Sequence, residues 1–138
     1  MTILNESLTG IDTNVLLRYL LKDDAKQYAV AKEFFASLSP SNPGFITQVT
    51  LAETYWVLAK SQKLPKATCL AIIGQLARSP VIEFDDGEGV MRAIILAEEG
   101  ADFADALIEG AMGLFGVTET VTFDQHAASA LGWRNLND

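Results

Sequence analysis

The feature that most constrains the fold of this chain is the alternation of short apolar strands with helical segments. Strands are predicted at residues 10–11, 45–46, 80–84, 120–123 and 133–135, and helical patterns fill the intervals. Because parallel strands need long crossover connections, strands separated by helices favour a parallel sheet. We therefore predict an α/β fold in which a parallel central sheet of four to five short strands carries helices on both faces.

Capping and turn residues predict where the helices begin and end. Thr47 is expected to cap a helix that runs to about Lys60, and Pro65 is acceptable in the first turn of the next helix. Asp102 can cap a helix that runs to about Gly116. No repeat or linker divides the 138 residues, so the chain has the size of one domain.

Composition limits the location and the partners of the protein. The polar start of the chain, Met1 to Gly10, does not resemble a signal peptide, and no apolar run is long enough to span a membrane. The single cysteine, Cys69, suits a reducing compartment, so a cytoplasmic protein without a membrane partner is expected. The net charge of −8 argues, taken alone, against nucleic-acid binding, although bound cations can reverse a local acidic field.

Acidic residues occur where a parallel α/β fold places its ligands. Asp12 follows the first predicted strand, and Asp124 follows the strand at 120–123. Glu53 and Asp105 lie in the first two turns of predicted helices. Because ligands bind at the carboxyl ends of parallel strands, we expect these carboxylates to lie close together.

The residue types favour metal-assisted phosphoryl chemistry. Clustered carboxylates suit Mg²⁺ or Mn²⁺, whereas the single His126 and single Cys69 argue against zinc. His126 is interpreted as a surface or supporting residue. The chain contains neither a Gly-x-Ser-x-Gly nucleophile motif nor a phosphate-binding loop of the Gly-x-x-x-x-Gly-Lys-Ser/Thr type.

Four segments resemble, in order, the motifs of VapC toxins, the PIN-domain ribonucleases of type II toxin–antitoxin systems. The first runs from Ile11-Asp12-Thr13-Asn14 to Asp24, and the second leads from Pro43-Gly44-Phe45-Ile46-Thr47 to Glu53 and Trp56. The third is Ala101-Asp102-Phe103-Ala104-Asp105-Ala106-Leu107-Ile108, and the fourth is Thr120-Val121-Thr122-Phe123-Asp124. The resemblance implies a PIN domain over residues 11–138, preceded by an N-terminal extension at 1–10.

The resemblance also implies roles for individual residues. Asp12 and Asp105 would bind the metal ion directly, and Glu53 and Asp124 would complete a catalytic acidic pocket. The residues expected to support these acids are Asn14, Thr122 and Asp102. Asp102 has a second interpretation as a helix cap, and the sequence leaves both open.

The implied activity is an Mg²⁺- or Mn²⁺-dependent endoribonuclease that hydrolyses RNA phosphodiesters with a metal-activated water and leaves a 5′-phosphate. The implied partners are a second copy of the chain, in a homodimer, and a VapB-type antitoxin, whose arginine could pair with the pocket acids.

Other enzyme classes fit less well. A haloacid-dehalogenase-type phosphatase needs Asp-x-Asp, but Asn14 occupies the second acidic position. A response-regulator receiver needs a late lysine, and none follows Lys66. The alternative that stays open is a non-catalytic PIN fold that serves as a binding module for an antitoxin or another partner.

Overall fold

Short parallel strands and longer helices alternate along the chain in the computed structural model, which describes residues 7–137. The elements are β1 (Thr9–Gly10), α1 (Thr13–Leu21), α2 (Ala25–Ala36), β2 (Gly44–Ile46), α3 (Gln48–Trp56), a π-helical turn (Val57–Ser61), α4 (Lys66–Ala77), β3 (Ile82–Phe84), α5 (Gly87–Glu98), α6 (Phe103–Leu114), β4 (Val121–Thr122), α7 (Gln125–Leu131) and β5 (Arg134–Asn135). Every helix of the described chain is too short or too polar to cross a membrane.

The strands form two parallel sheets instead of one. The first has the order β1-β2-β3, with Thr9 opposite Gly44 and Phe45 opposite Glu83. The second pairs β4 with β5, with Val121 opposite Arg134. The predicted parallel α/β class is confirmed, and the described chain has five strands as expected, but they are divided three and two.

The predicted N-terminal extension includes strand β1. Thr9 and Gly10 pair with β2, and the backbone N–H of Ile11 continues the pairing by donating to the carbonyl of Phe45 at 2.9 Å. Residues 1–6 of that extension lie outside the described part of the chain, as does residue 138.

One apolar core holds the helices against the larger sheet. Helix α3 contributes Leu51 and Tyr55 at helical spacing, and the ring of Tyr55 packs 5.0 Å from that of Phe103 at the start of α6. Fully burying side chains of this size contributes roughly 1.5–3 kcal/mol each. Cys69 is fully buried in the same core. The contact between Tyr55 and Phe103 brings the C-terminal end of α3 next to the start of α6.

Helices α3 and α6 begin directly after their predicted capping residues. Thr47 and Asp102 accept hydrogen bonds from the backbone N–H groups three residues later, as N-caps do. The helix predicted to reach Lys60 changes to a π-helical turn after Trp56 and ends at Ser61. Helix α6 ends at Leu114, two residues before the predicted end near Gly116.

Candidate acidic active site

Four of the five acidic residues singled out in the sequence lie at the N-terminal ends of helices, and Glu53 is the sixth of the nine residues of α3. Asp12, Asp102 and Asp124 are the N-cap residues of α1, α6 and α7. Glu53 lies in the second turn of α3, and Asp105 lies in the first turn of α6. The N-terminal end of a helix carries partial positive charge, which attracts negatively charged groups within the first turn.

Asp12 and Glu53 belong to neighbouring helices that are joined by a hydrogen bond. The hydroxyl of Thr13, the residue after Asp12, donates to Oε1 of Glu53 at 2.7 Å. Both acidic side chains are exposed, and the carboxylate of Asp12 caps no backbone N–H of α1. Thr13 therefore fixes the direction of the Glu53 carboxylate and leaves that of Asp12 accessible.

Asp102 is a helix cap, which was one of its two interpretations. Its Oδ2 accepts a hydrogen bond from the backbone N–H of Asp105 at 3.0 Å. This contact places the two carboxyl groups on the same turn of α6, where like charges repel each other. Whether Asp102 also contributes a ligand stays a prediction.

The pKa of Asp105 is affected by burial and by the neighbouring charged residues. Burial raises the pKa of this carboxyl above its ordinary value, and the negative charges of Asp102 and Asp124 raise it further. The nearby ring of His126 acts on the pKa in the opposite direction. Asp102 and Asp124 therefore lie near enough to Asp105 to affect the pKa of its carboxyl group.

Asp124 is held firmly at the start of α7. Its Oδ1 accepts hydrogen bonds from the backbone N–H groups of His126 at 2.8 Å and Ala127 at 3.2 Å. The hydroxyl oxygen of Thr122 accepts a hydrogen bond from the backbone N–H of Asp124 at 2.9 Å. Thr122 thus contacts the acid that it was expected to support.

A cleft lies between α3 and the start of α6. Glu53 of α3 and Asp102 at the start of α6 line one cavity of about 330 Å³, together with Trp56 and Lys60. Trp56 is 60% exposed, so within this chain it is not a core residue. Asn14, the other expected supporting residue, lines a different cavity between β1, α1 and α2 and makes no hydrogen bond to the acids within residues 7–137.

The type and charge of the donors fit a hard divalent cation. Carboxylate oxygens are preferred ligands of Mg²⁺ and Mn²⁺. The ion pairs in the described chain join Arg18 to Asp23 and Arg134 to Glu119, so no Lys or Arg there forms an ion pair with the candidate acids. As placed, however, no three His, Cys, Asp or Glu side chains among residues 7–137 are grouped closely enough to hold a metal ion.

A family model of the PIN domain matches residues 11–130 of this chain. The chain belongs to the PIN domain family. PIN domains are generally nucleases that depend on divalent metal ions and bind RNA substrates. Neither the search of curated proteins nor the search of solved structures found a match. The match begins at the residue before Asp12 and ends after Asp124, so this PIN domain includes all the candidate acids.

Two residues of this PIN domain acquire roles that the sequence analysis missed or understated. Thr13 orients Glu53, and the only signal for it was a hydroxyl directly after a strand-end aspartate. His126, interpreted as a surface or supporting residue, donates from Nε2 to the carbonyl of Gly100 at 2.8 Å. Gly100 is far from His126 in sequence, so local spacing could not reveal this contact.

Proposed function

We propose that this PIN domain is a metal-dependent endoribonuclease that hydrolyses RNA phosphodiester bonds. The observation that supports the proposal best is the set of carboxylates carried by α1, α3, α6, α7 and their N-caps, none of which forms an ion pair with Lys or Arg among residues 7–137. Burial raises the pKa of Asp105, and the negative charges of Asp102 and Asp124 raise it further. A bound divalent cation would supply the missing countercharge.

Each acid has a distinct part in the proposed site. Asp12 and Asp105 would hold the cation, and Glu53 and Asp124 would complete the pocket, either directly or through water. When bound, the cation activates a water molecule and stabilises negative charge on the phosphate oxygens. Thr13 keeps the Glu53 carboxylate in one orientation, and helix α7 does the same for Asp124. These fixed orientations reduce the reorganisation that the reaction requires.

We further propose that the protein acts in the cytoplasm as the VapC-type toxin of a toxin–antitoxin module, with a VapB-type antitoxin and a homodimeric state. The four ordered motifs support the toxin assignment, and the net charge of −8 suits a basic antitoxin tail. The surface exposes large apolar side chains that a protein partner could cover, among them Leu114, Phe115 and Phe123. Light scattering of the purified protein tests the dimer: a monomer mass at micromolar concentration would contradict it.

The nuclease proposal is tested with purified, antitoxin-free protein and mixed RNA, with Mg²⁺ or Mn²⁺ and with chelator. Wild type should cleave only with the metal, and Asp12→Asn and Glu53→Gln should lose most of that activity. The control is Glu33→Gln, which neutralises an exposed glutamate of α2 and should leave cleavage unchanged. Cleavage in chelator, or full activity of Asp12→Asn, contradicts the proposed mechanism.

The same preparation distinguishes the enzyme from a binding module. If wild type and Asp12→Asn are equally inert toward all RNAs but both bind a partner, the non-catalytic alternative is correct. Expression in cells, followed by sequencing of RNA ends, would identify the RNA that is cut. A toxin should arrest growth, and Asp12→Asn should not.

A further inference from the structure

The segment that carries Asp124 forms a small unit of its own, which we call the C-terminal unit (residues 120–137). It contains β4, α7 and β5, and its two strands pair with each other instead of joining the larger sheet. Internal hydrogen bonds hold it together, including the one from the amide of Asn135 to the side chain of Gln125. The position of Asp124 relative to Asp105 therefore depends on how this unit is docked.

Besides the contacts of Arg134 with the adjoining Glu119, two side-chain hydrogen bonds connect the C-terminal unit to the rest of the described chain. Trp133 Nε1 donates to Oε1 of Glu109 in α6, and His126 Nε2 donates to the carbonyl of Gly100 at 2.8 Å. Ala127, which follows His126, is buried and adds a packing contact. Of the two hydrogen bonds, that of His126 lies closer in sequence to the candidate acids.

His126 forms a continuous bridge between two of these acids. Its backbone N–H donates to the Asp124 carboxylate, and its ring donates to Gly100, two residues before Asp102. Asp102 in turn accepts from the backbone N–H of Asp105. A chain of hydrogen bonds and two peptide links thus runs from the carboxylate of Asp124 to the backbone of Asp105.

The turn that receives the His126 ring is held from a second side. Lys66 of α4 donates from Nζ to the carbonyl of Ala101 at 2.8 Å, so consecutive carbonyls of the turn bind donors from different helices. Gly100 has a φ of 124°, a conformation that favours glycine. The turn therefore presents a defined carbonyl to His126.

From this geometry we propose that His126 is a positioning residue, which sets the placement of the Asp124 carboxylate relative to Asp105. The inference rests on the proposed function, because its consequence is that the two acids act on one bound cation. The ring needs only to donate a hydrogen bond from Nε2. A glutamine can place an N–H donor at a similar reach, whereas alanine cannot.

Mn²⁺ binding and RNA cleavage by the purified full-length chain test this role. Residues that orient metal-binding side chains typically alter affinity or activity by about 10–100-fold. His126→Ala should weaken Mn²⁺ binding by roughly tenfold and lower kcat with little change in KM for RNA. His126→Gln should restore both values to within about threefold of wild type, because it keeps the donor. The control is Arg134→Ala, which breaks the ion pair with Glu119 at the edge of the C-terminal unit and should change neither value.

Trp133 reports whether the C-terminal unit stays docked. In a Trp56→Phe background it is the remaining tryptophan, and loss of docking would shift its emission to longer wavelength as it enters water. We expect the emission of His126→Ala to match that of its parent. A red shift together with weakened Mn²⁺ binding would show a merely structural role and overturn the inference.

The remaining outcomes separate the two proposals. If wild type binds Mn²⁺ and cleaves RNA, and His126→Ala does both equally well, the inference about His126 is wrong and the nuclease proposal stands. Failure of His126→Gln to restore binding also overturns it. Wild type that neither binds Mn²⁺ nor cleaves RNA removes the proposed function, and the inference falls with it.

Discussion

Asp124 combines a structural task with a proposed chemical one, and two substitutions separate them. Its carboxylate accepts hydrogen bonds from the backbone N–H groups of His126 and Ala127 and so caps α7. Asparagine caps a helix about as well as aspartate, whereas loss of a cap to alanine costs about 1 kcal/mol. In a domain of this size that loss lowers Tm by roughly 4 °C. Asp124→Ala should therefore be less stable than wild type, and Asp124→Asn should be nearly as stable.

The expected activities of the two variants follow a different order. Both lack the carboxylate charge, so both should lose cleavage, by about tenfold or more if Asp124 belongs to the metal pocket. Stability is measured by thermal unfolding in chelator, so that metal binding does not contribute, and activity by RNA cleavage in Mn²⁺. If Asp124→Asn unfolds as early as Asp124→Ala, the capping argument is wrong. If Asp124→Asn cleaves RNA as fast as wild type, Asp124 serves only as a helix cap.

Three further predictions test the electrostatics and packing around the acids. The pKa of Asp105 is raised, so ionisation of this carboxyl group destabilises the folded state. The free energy of unfolding of Asp105→Asn, relative to that of wild type, should therefore rise as pH increases above 3.8, the ordinary pKa of aspartate. Urea unfolding without metal measures this difference, and a difference that falls with pH contradicts the prediction. Thr13→Val removes the donor to Glu53 and should reduce cleavage several-fold, whereas Thr13→Ser keeps it; equal activities would show that the hydroxyl is irrelevant. The hydroxyl of Thr54 is fully buried and has no hydrogen-bond partner among residues 7–137, so Thr54→Val should stabilise the protein by up to about 1 kcal/mol in chemical unfolding; a clear loss would reveal a hidden partner.

The element types and the places of the acids were predictable because they depend on local signals. Thr47 and Asp102 cap helices where the pattern expects them, and Asp12 and Asp124 follow short strands. The family match over residues 11–130 agrees with the order of the four motifs. Helix caps and strand ends depend on residues that are close together in the chain, so they can be predicted from a single sequence.

Contacts between distant segments were not predictable from the same signals. The division of the strands into two sheets depends on β4 pairing with β5 and not with the other strands, which no local pattern determines. The bonds from Thr13 to Glu53 and from His126 to Gly100 join residues 40 and 26 positions apart. Trp56 belongs to a helix with many apolar residues, yet it is largely exposed because that side of α3 borders the cleft.

The burial of Cys69 makes the protein convenient for labelling. It is the one cysteine of the chain, its side chain is fully inaccessible, and burial raises the pKa of its thiol, so little reactive thiolate forms at neutral pH. A cysteine introduced at exposed Ser129 of α7 would therefore react selectively with a maleimide dye while the native residue stays in place. Fluorescence from such a probe could follow motion of α7 during RNA binding in an otherwise unaltered core.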